Sequence, residues 1–300
     1  TAVTTDATGD IYLTGSTSSS DFPTQTAEQS QLGCDPSAPA GCQNAFVVKL
    51  DPTGHTLLFS TYLGGSSQDS GAAIAVDTNG NVIVAGVSES SDFPHAGAVL
   101  SPSCQINNSC YFLASLKPDG SALNYSGQIG GSEGSYANGN NGRLAVDASG
   151  NAYLAGITDS PNFQITSGTL VPSISGYPNT STFVLKIDPT GKLLYSTAIP
   201  GDAASNPLSG FNNFFLPTGI AVDSSGQATV SGTGGPGLPT TVGVVAAAFP
   251  NAVTNVENPI AGYVLQLNAT ASAINYGTYV PGTDTLGGMA VDNSGNLYLA

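Results

Sequence analysis

The side chains in this sequence that could do chemistry are few, and they recur. Five copies of an Asp-x-x-Gly string set oxygen donors at short spacing: Asp6 with Gly9 and Asp10, Asp77 with Gly80 and Asn81, Asp147 with Gly150 and Asn151, Asp223 with Gly226 and Gln227, and Asp292 with Gly295 and Asn296. Such donors suggest a clipped calcium loop, but a complete loop places at least three ligands at alternate positions and adds a bidentate glutamate, which these strings lack. An aspartate at the head of a hairpin turn bonds the backbone two residues on, and glycine supplies the positive φ the turn needs. The ten Asp and Gly residues are therefore read as structural turns. Calcium stays as the alternative, and no cofactor is expected.

The two histidines, His55 and His95, fall in a turn and a loop. Neither has a Ser-x-Gly elbow, a second histidine at metal spacing or a reactive cysteine near it in sequence. Glycoside chemistry needs a pair of carboxylates. Glu89, Asp92, Glu133, Asp159, Asp202, Glu257 and Asp284 are scattered over several loops, and no spacing selects two of them. The chain has no tryptophan to stack on a sugar, although its 12 tyrosines offer a substitute. The cysteines form two local sets, Cys34 with Cys42 and Cys104 with Cys110. Four cysteines allow three connectivities, and the matched placement of the two sets favours the local pairs. Two loop disulfides imply an oxidising compartment. A zinc site is the rival; it would need two separate loops to converge and lacks the close Cys-x2-Cys spacing of zinc knuckles.

The elements that carry these residues repeat. From aspartate to aspartate the five strings are separated by 71, 70, 76 and 69 residues, too long for a helical solenoid. Gly71 to Asp77 reads as a strand, Asn79-Gly80 as a tight turn and Asn81 to Gly86 as the returning strand. After a variable loop, Ala45 to Leu50 and Leu57 to Leu63 flank the turn Asp51-Pro52-Thr53-Gly54, and the same unit returns around Lys186 to Gly191 and, in worn form, around Leu267 to Thr270. Each repeat thus encodes four antiparallel strands. Apolar strands that need cover on both faces, repeated in tandem, indicate an all-β array of β-propeller-type blades; a β-solenoid is the runner-up, with rungs shorter than these repeats. The expected blades are 1–65, 66–131, 132–201 and 202–282, with 283–300 as the first hairpin of a fifth, all in one propeller-type domain. A sheet cut after one hairpin would expose an edge, so the expectation is a longer array or a hairpin completed by another chain. Asp21-Phe22-Pro23 and Asp92-Phe93-Pro94 are read as loops whose Phe caps the core of its own blade and whose Pro ends the strand, with a ring of exposed Phe anchors as the alternative.

The strings Ser20-Asp21-Phe22-Pro23, Phe46 to Gly54, Ser60 to Gly65 and Val-Asp-x-x-Gly-Asn resemble the bacterial SBBP, or "seven-bladed β-propeller", repeat family. The fourth repeat departs from the pattern, with Ala271 in place of the turn glycine and Gly237-Leu238-Pro239 in place of Asp-Phe-Pro. The resemblance implies a large secreted or surface protein of bacteria, and a fold more than a reaction.

Composition excludes partners more firmly than it names them. The net charge of -15 comes from 20 acidic residues against only five Lys and Arg. So few cations cannot neutralise a phosphate backbone, and the chain would be repelled by anionic headgroups. No nucleic acid and no membrane insertion are expected, and no apolar run approaches the roughly 20 residues of a spanning helix. The chain is expected to be a mature or excised portion of a secreted precursor. The resulting expectation is a non-enzymatic extracellular or cell-surface protein, structural or adhesive, binding proteins or glycans through its loops and self-assembling into a filament or layer. The competing class is a secreted glycan hydrolase or lyase using the central face of a propeller.

Overall fold

The computed structural model describes residues 1–35, 41–97, 109–131, 142–171, 173–174, 181–199, 215–250, 260–283, 285–292 and 295–300. Within them the chain is all-β. The first sheet holds β1 (Ala2–Thr5), β2 (Ile11–Thr17), β3 (Asn44–Leu50) and β4 (Leu57–Leu63). The second holds β5 (Asp69–Val76), β6 (Val82–Ser88), β7 (Cys110–Leu116) and β8 (Leu123–Ile129). The third holds β9 (Arg143–Val146), β10 (Ala152–Thr158), β11 (Ser181–Ile187) and β12 (Leu193–Ile199). The fourth holds β13 (Phe215–Val222), β14 (Ala228–Gly234), β15 (Ala261–Leu267) and β16 (Ile274–Val280), and β17 (Met289–Val291) pairs with β18 (Leu297–Leu299) alone. Every four-stranded sheet is an antiparallel meander with its strands paired in chain order.

The meander follows from the turns. Gly9, Gly80, Gly150, Gly226 and Gly295 all adopt positive φ, between 76° and 88°, where a Cβ is strained. Their amides donate to the carbonyls of Asp6, Asp77, Asp147, Asp223 and Asp292. Between the third and fourth strands each sheet also carries a register shift, at Lys49/Leu50, Ser115/Leu116, Lys186/Ile187 and Gln266/Leu267. In β4 and β12 the extra residue, Leu58 or Leu194, is turned out to solvent.

The cores lie between sheets rather than within them. One cluster joins Tyr12, Ala45, Val47 and Phe59 of the first sheet to Val82, Val84, Phe112 and Leu116 of the second. A second joins Ile83, Tyr111 and Leu113 to Leu154, Phe183 and Leu185 of the third. A third joins Tyr153, Val184 and Ile199 to Val230, Tyr263 and Leu265 of the fourth. Because side chains alternate across a strand, each sheet presents one apolar face upstream and one downstream, and neither is covered without a neighbour. The first strands β1, β5, β9, β13 and β17 touch in succession, so they form the inner edge of the array.

Within each four-stranded sheet a glycine of the second strand faces an aromatic ring of the third: Gly15 and Phe46, Gly86 and Phe112, Gly156 and Phe183, Gly232 and Tyr263. The ring lies over the missing side chain. In three sheets the loop phenylalanine covers its other side, with ring centroids 5.1 Å apart for Phe22–Phe46, 4.7 Å for Phe93–Phe112 and 4.6 Å for Phe163–Phe183. In the fourth, Leu238 is buried in the cluster that holds Tyr263. The loop Phe therefore packs on its own sheet. The proline does not end the strand, however: β2 and β6 stop at Thr17 and Ser88, and the Phe93 amide then donates to the Ser90 carbonyl, so a turn has intervened before Pro94.

Those loops also guard the outer edges. Gln25 bridges to Ser60 and Gln29 to Tyr62 on β4, and Ala96 bridges to Ser126 on β8. The Thr166 amide donates to Ser196 on β12, and the Thr241 amide donates to Gly277 on β16. Each fourth strand is thus met along part of its free edge by its own sheet's loop, which removes a template for unwanted pairing.

Candidate functional site

The antiparallel order gives each sheet two unlike ends. The β1–β2 and β3–β4 type turns gather at one end, the turn face. The described parts of the second-to-third-strand loops and the β4–β5 connection gather at the other, the loop face.

On the turn face the recurrent aspartates spend their oxygens on their own turns. Asp6 Oδ1 accepts from the amides of Thr8 and Asp10 at 2.9 and 3.0 Å and from the Thr8 hydroxyl at 2.7 Å, while Oδ2 accepts from the Tyr12 hydroxyl at 2.8 Å. Asp77 accepts from the amides of Asn79 and Asn81 and from the Asn81 side chain. Asp147 accepts from the amides of Ser149 and Asn151, the Asn151 side chain and the Tyr153 hydroxyl. Asp223 accepts from the amides of Ser225 and Gln227, and Asp292 from Asn296 and the Tyr298 hydroxyl. Desolvation pushes the Asp6 carboxyl up, but the hydroxyls of Thr8 and Tyr12 and the amides of Asp10 and Thr8 outweigh it and hold the pKa at about 2. Asp51 and Asp188 cap the second turn of their sheets in the same way, and Asn268 does so where the turn glycine is replaced by Ala271, which keeps a positive φ of 53°. A cation at any of these turns would have to displace several N–H and O–H donors. Among the described residues no three His, Cys, Asp or Glu side chains gather as a metal site.

Two lysines close over this face. Lys49 Nζ lies 2.9 Å from Asp10 Oδ2 and 5.0 Å from the centroid of the Tyr12 ring. Lys186 Nζ lies 3.5 Å from Asp147 Oδ2 and 4.8 Å from the centroid of the Tyr153 ring. Each pairs a cation with both a carboxylate and a π face.

The loop face holds a buried polar network that the sequence did not single out. Asp69, at the start of β5, is buried; its Oδ2 accepts from the Gly65 amide at 2.8 Å, Asn44 Nδ2 at 3.2 Å and the Ser90 hydroxyl at 2.8 Å. Burial pushes the Asp69 carboxyl above its ordinary range, against the pull of these donors. Asn44 also accepts from the Gly33 amide at 2.6 Å and donates to the Gly65 carbonyl. Next to Gly33, Cys34 is bonded to Cys42, with Cα atoms 5.5 Å apart. Asp92 Oδ1 accepts from the amide and hydroxyl of Ser66, both at 2.8 Å. The connection from first to second sheet is thus pinned from both sides, and a Cβ on Gly64 would clash with the side chains of Asn44 and Asp69. The one sequence sign of this arrangement was Gly64-Gly65 beside a strand that opens on an aspartate.

Other candidate residues fall apart in space or lie outside the described residues. His55 is exposed, with its amide donating to Asp51 and its ring 3.1 Å from the Thr53 hydroxyl, and His95 is exposed on the loop face. Glu89 accepts from the Ser109 hydroxyl, and Asp159 is buried at the end of β10. Cys110 is disulfide-bonded, whereas Cys104, Glu133, Asp202, Glu257 and Asp284 lie outside the described residues.

Residues 58–94, from β4 to the Asp-Phe-Pro loop of the second sheet, match the SBBP beta-propeller repeat. No curated protein matches the chain in sequence. Among solved structures, the mannose phosphorylase MPT-4 from Leishmania mexicana, in complex with phosphate ion, is 11% identical with a TM-score of 0.40 over 99% of this chain and 77% of that one. Hydrazine synthase of Kuenenia stuttgartiensis is 13% identical with a TM-score of 0.37 over 87% and 71%. The Dos1 propeller is 11% identical with a TM-score of 0.28 over 86% and 71%. The chain is an all-β, propeller-type array carrying an SBBP repeat.

Proposed function

We propose that the chain is a non-enzymatic extracellular scaffold that works by binding, and that one of its binding partners is a second copy of itself. The observation that carries this reading is the upstream face of the first sheet. The residues that pack against the preceding sheet are fully buried in the second sheet (Val82, Val84, Phe112), the third (Ala152, Leu154, Phe183) and the fourth (Ala228, Val230, Tyr263). Their counterparts Ile11, Leu13 and Phe46 are half-exposed, as are Val48 and Leu50, and Val3 beside them is 65% exposed. An apolar sheet face of this kind is covered in the array by a further sheet, which a second copy or a preceding repeat of the same chain can supply. The β17–β18 hairpin offers a matching surface. Tyr298, 59% exposed and bonded to Asp292, repeats the Tyr12–Asp6 bond of the first sheet, whose Tyr12 ring enters the core shared with the second. Joining these two unlike surfaces is heterologous and does not close by two-fold symmetry, which generates a ring or an open chain of copies according to the rotation per copy. The Cys34–Cys42 disulfide supports an oxidising, extracellular setting.

Sedimentation velocity over a hundredfold concentration range tests the reading. Association that grows with concentration, weakened by Leu13→Glu with Val48→Glu and by Tyr298→Ala, is the expected result. A monomer at every concentration, or association untouched by both sets of changes, would overturn it.

A further inference from the structure

Arg143 is the sole arginine of the chain, and it stands where the repeat otherwise demands a small residue. Opposite one rung of the second strand (Thr14, Ala85, Ala155 and Ser231) the first strand carries Ala2, Ala73, Arg143 and Gly219. The spacing there is close: a Cβ on Gly219 would sit 2.9 Å from the Met289 Cβ of the next sheet. Only in the third sheet does a long cation occupy the rung.

The packing of the sheets does not account for it. Arg143 Nε donates to the Thr218 carbonyl at 2.8 Å, and Nη1 donates to the Gly142 carbonyl at 3.1 Å. Thr218 is the extra residue of a bulge in β13, between Pro217 and Gly219. The second sheet makes the equivalent bulge in β5, between Gly71 and Ala73, facing a sheet that carries Ala2 at this rung. The bulge therefore forms without an arginine to cap it. Nor is the charge answered as the other half-buried cations are. Lys49 and Lys186 each hold an aspartate, whereas among the described residues no carboxylate pairs with Arg143, in a chain with 20 acidic residues. Desolvation lowers the Arg143 pKa, and the neighbouring Tyr111 hydroxyl offsets only part of it.

We infer that Arg143 anchors an oxyanion-binding site at the loop-face end of the inner edge, between the third and fourth sheets. Arg143 opens β9, so it stands at the loop-face end of that strand. Two carbonyls fix the guanidinium plane, and among the described residues the other N–H donors of the fork meet no acceptor, which leaves them to take two oxygens side by side. The strongly negative chain disfavours polyanions, so the ligand class is a singly charged oxyanion, such as the carboxylate of a uronic acid or a sulfate ester.

A single arginine gives a single guanidinium Nε–H resonance, which reports on the site without mutation. Titration with glucuronate, with glucose as the neutral match and sodium chloride at equal ionic strength, should move that resonance saturably with glucuronate alone. A methyl sulfate arm separates a carboxylate-selective site, which ignores it, from a general oxyanion site, which responds alike; either pattern supports the assignment. Arg143→Gln should weaken glucuronate binding at least tenfold by calorimetry. Should Arg143→Gln fail to fold, Arg143→Lys, which keeps the charge and loses the fork, should weaken it as well. A resonance that moves no more with glucuronate than with chloride, or an unchanged affinity in both variants, would overturn the assignment.

Discussion

Gly156→Ala adds a single methyl group, at the most confined point of the third sheet. Gly156 lies on β10 opposite Phe183 of β11. A Cβ there would sit 2.7 Å from Phe183 Cζ and 2.8 Å from Tyr111 Cζ, the latter belonging to the second sheet. Neither ring has room to retreat. Both are fully buried, Phe183 is backed by Phe163 at 4.6 Å, and the Tyr111 hydroxyl accepts from the Ile157 amide at 3.0 Å. Overpacking of this kind costs about 1–3 kcal/mol. The reduced freedom of the unfolded chain returns about 0.4–1 kcal/mol. The net expectation is a loss of about 1–2 kcal/mol, or a fall of roughly 2–6 °C in Tm. Urea denaturation followed by tyrosine fluorescence measures it, and Phe183→Leu supplies the second arm of a double-mutant cycle. Leucine makes space for the methyl group, so the double variant should be more stable than the sum of the singles by about 0.5 kcal/mol or more. A Gly156→Ala protein as stable as the parent, or a cycle that is strictly additive, would refute the idea that the ring fills the place of the missing side chain.

Two further outcomes follow from the loop face. Replacing Cys34 and Cys42 together by serine opens a loop with a sequence separation of 8, so a loss of about 2–3 kcal/mol is expected from loop closure, read as a lowered urea midpoint; a change below about 0.5 kcal/mol would argue that the loop is held by Asn44 and Gln29 instead. Asp69 has a raised carboxyl pKa in the folded chain, so its ionisation opposes folding: the parent loses stability as pH rises above the ordinary carboxylate range and through the folded pKa. Asp69→Asn should remove that loss, so its Tm relative to the parent should climb between pH 4 and pH 7, and a constant difference would contradict it.

Much of the fold is legible in the sequence because its turns are chemically explicit. An aspartate followed three residues later by a glycine can satisfy a tight turn from within, and the apolar strings on either side are long enough for only one strand each. The loop phenylalanine was legible as a packing residue for a similar reason, since Asn162-Phe163-Gln164 keeps the ring and discards the proline. The proline itself misled, because a Ser90–Phe93 turn ends the strand first and leaves no trace in hydropathy. Which side of a strand faces upstream was hidden: both faces of the middle strands are apolar, so alternation carries no sign. The Asp69 network was hidden as well, since Asn44, Gly65, Asp69 and Ser90 come from four segments that only sheet stacking brings together. Arg143 stood out in sequence only as a scarce residue; its departure from the repeat becomes visible once the rungs are aligned by their hydrogen bonds.

The placement of each core between two sheets has a mechanical consequence. A sheet that owned its core could be pulled away whole, and the rest would stay intact. Here, detaching any sheet strips half of the hydrophobic cluster from its neighbour, so rupture at one junction weakens the next. Under tension the array should therefore resist until one junction ruptures and then come apart sheet by sheet with falling resistance, each step releasing about one repeat of chain. The load the array bears is then set by its first junction to rupture and not by the stability of any single sheet.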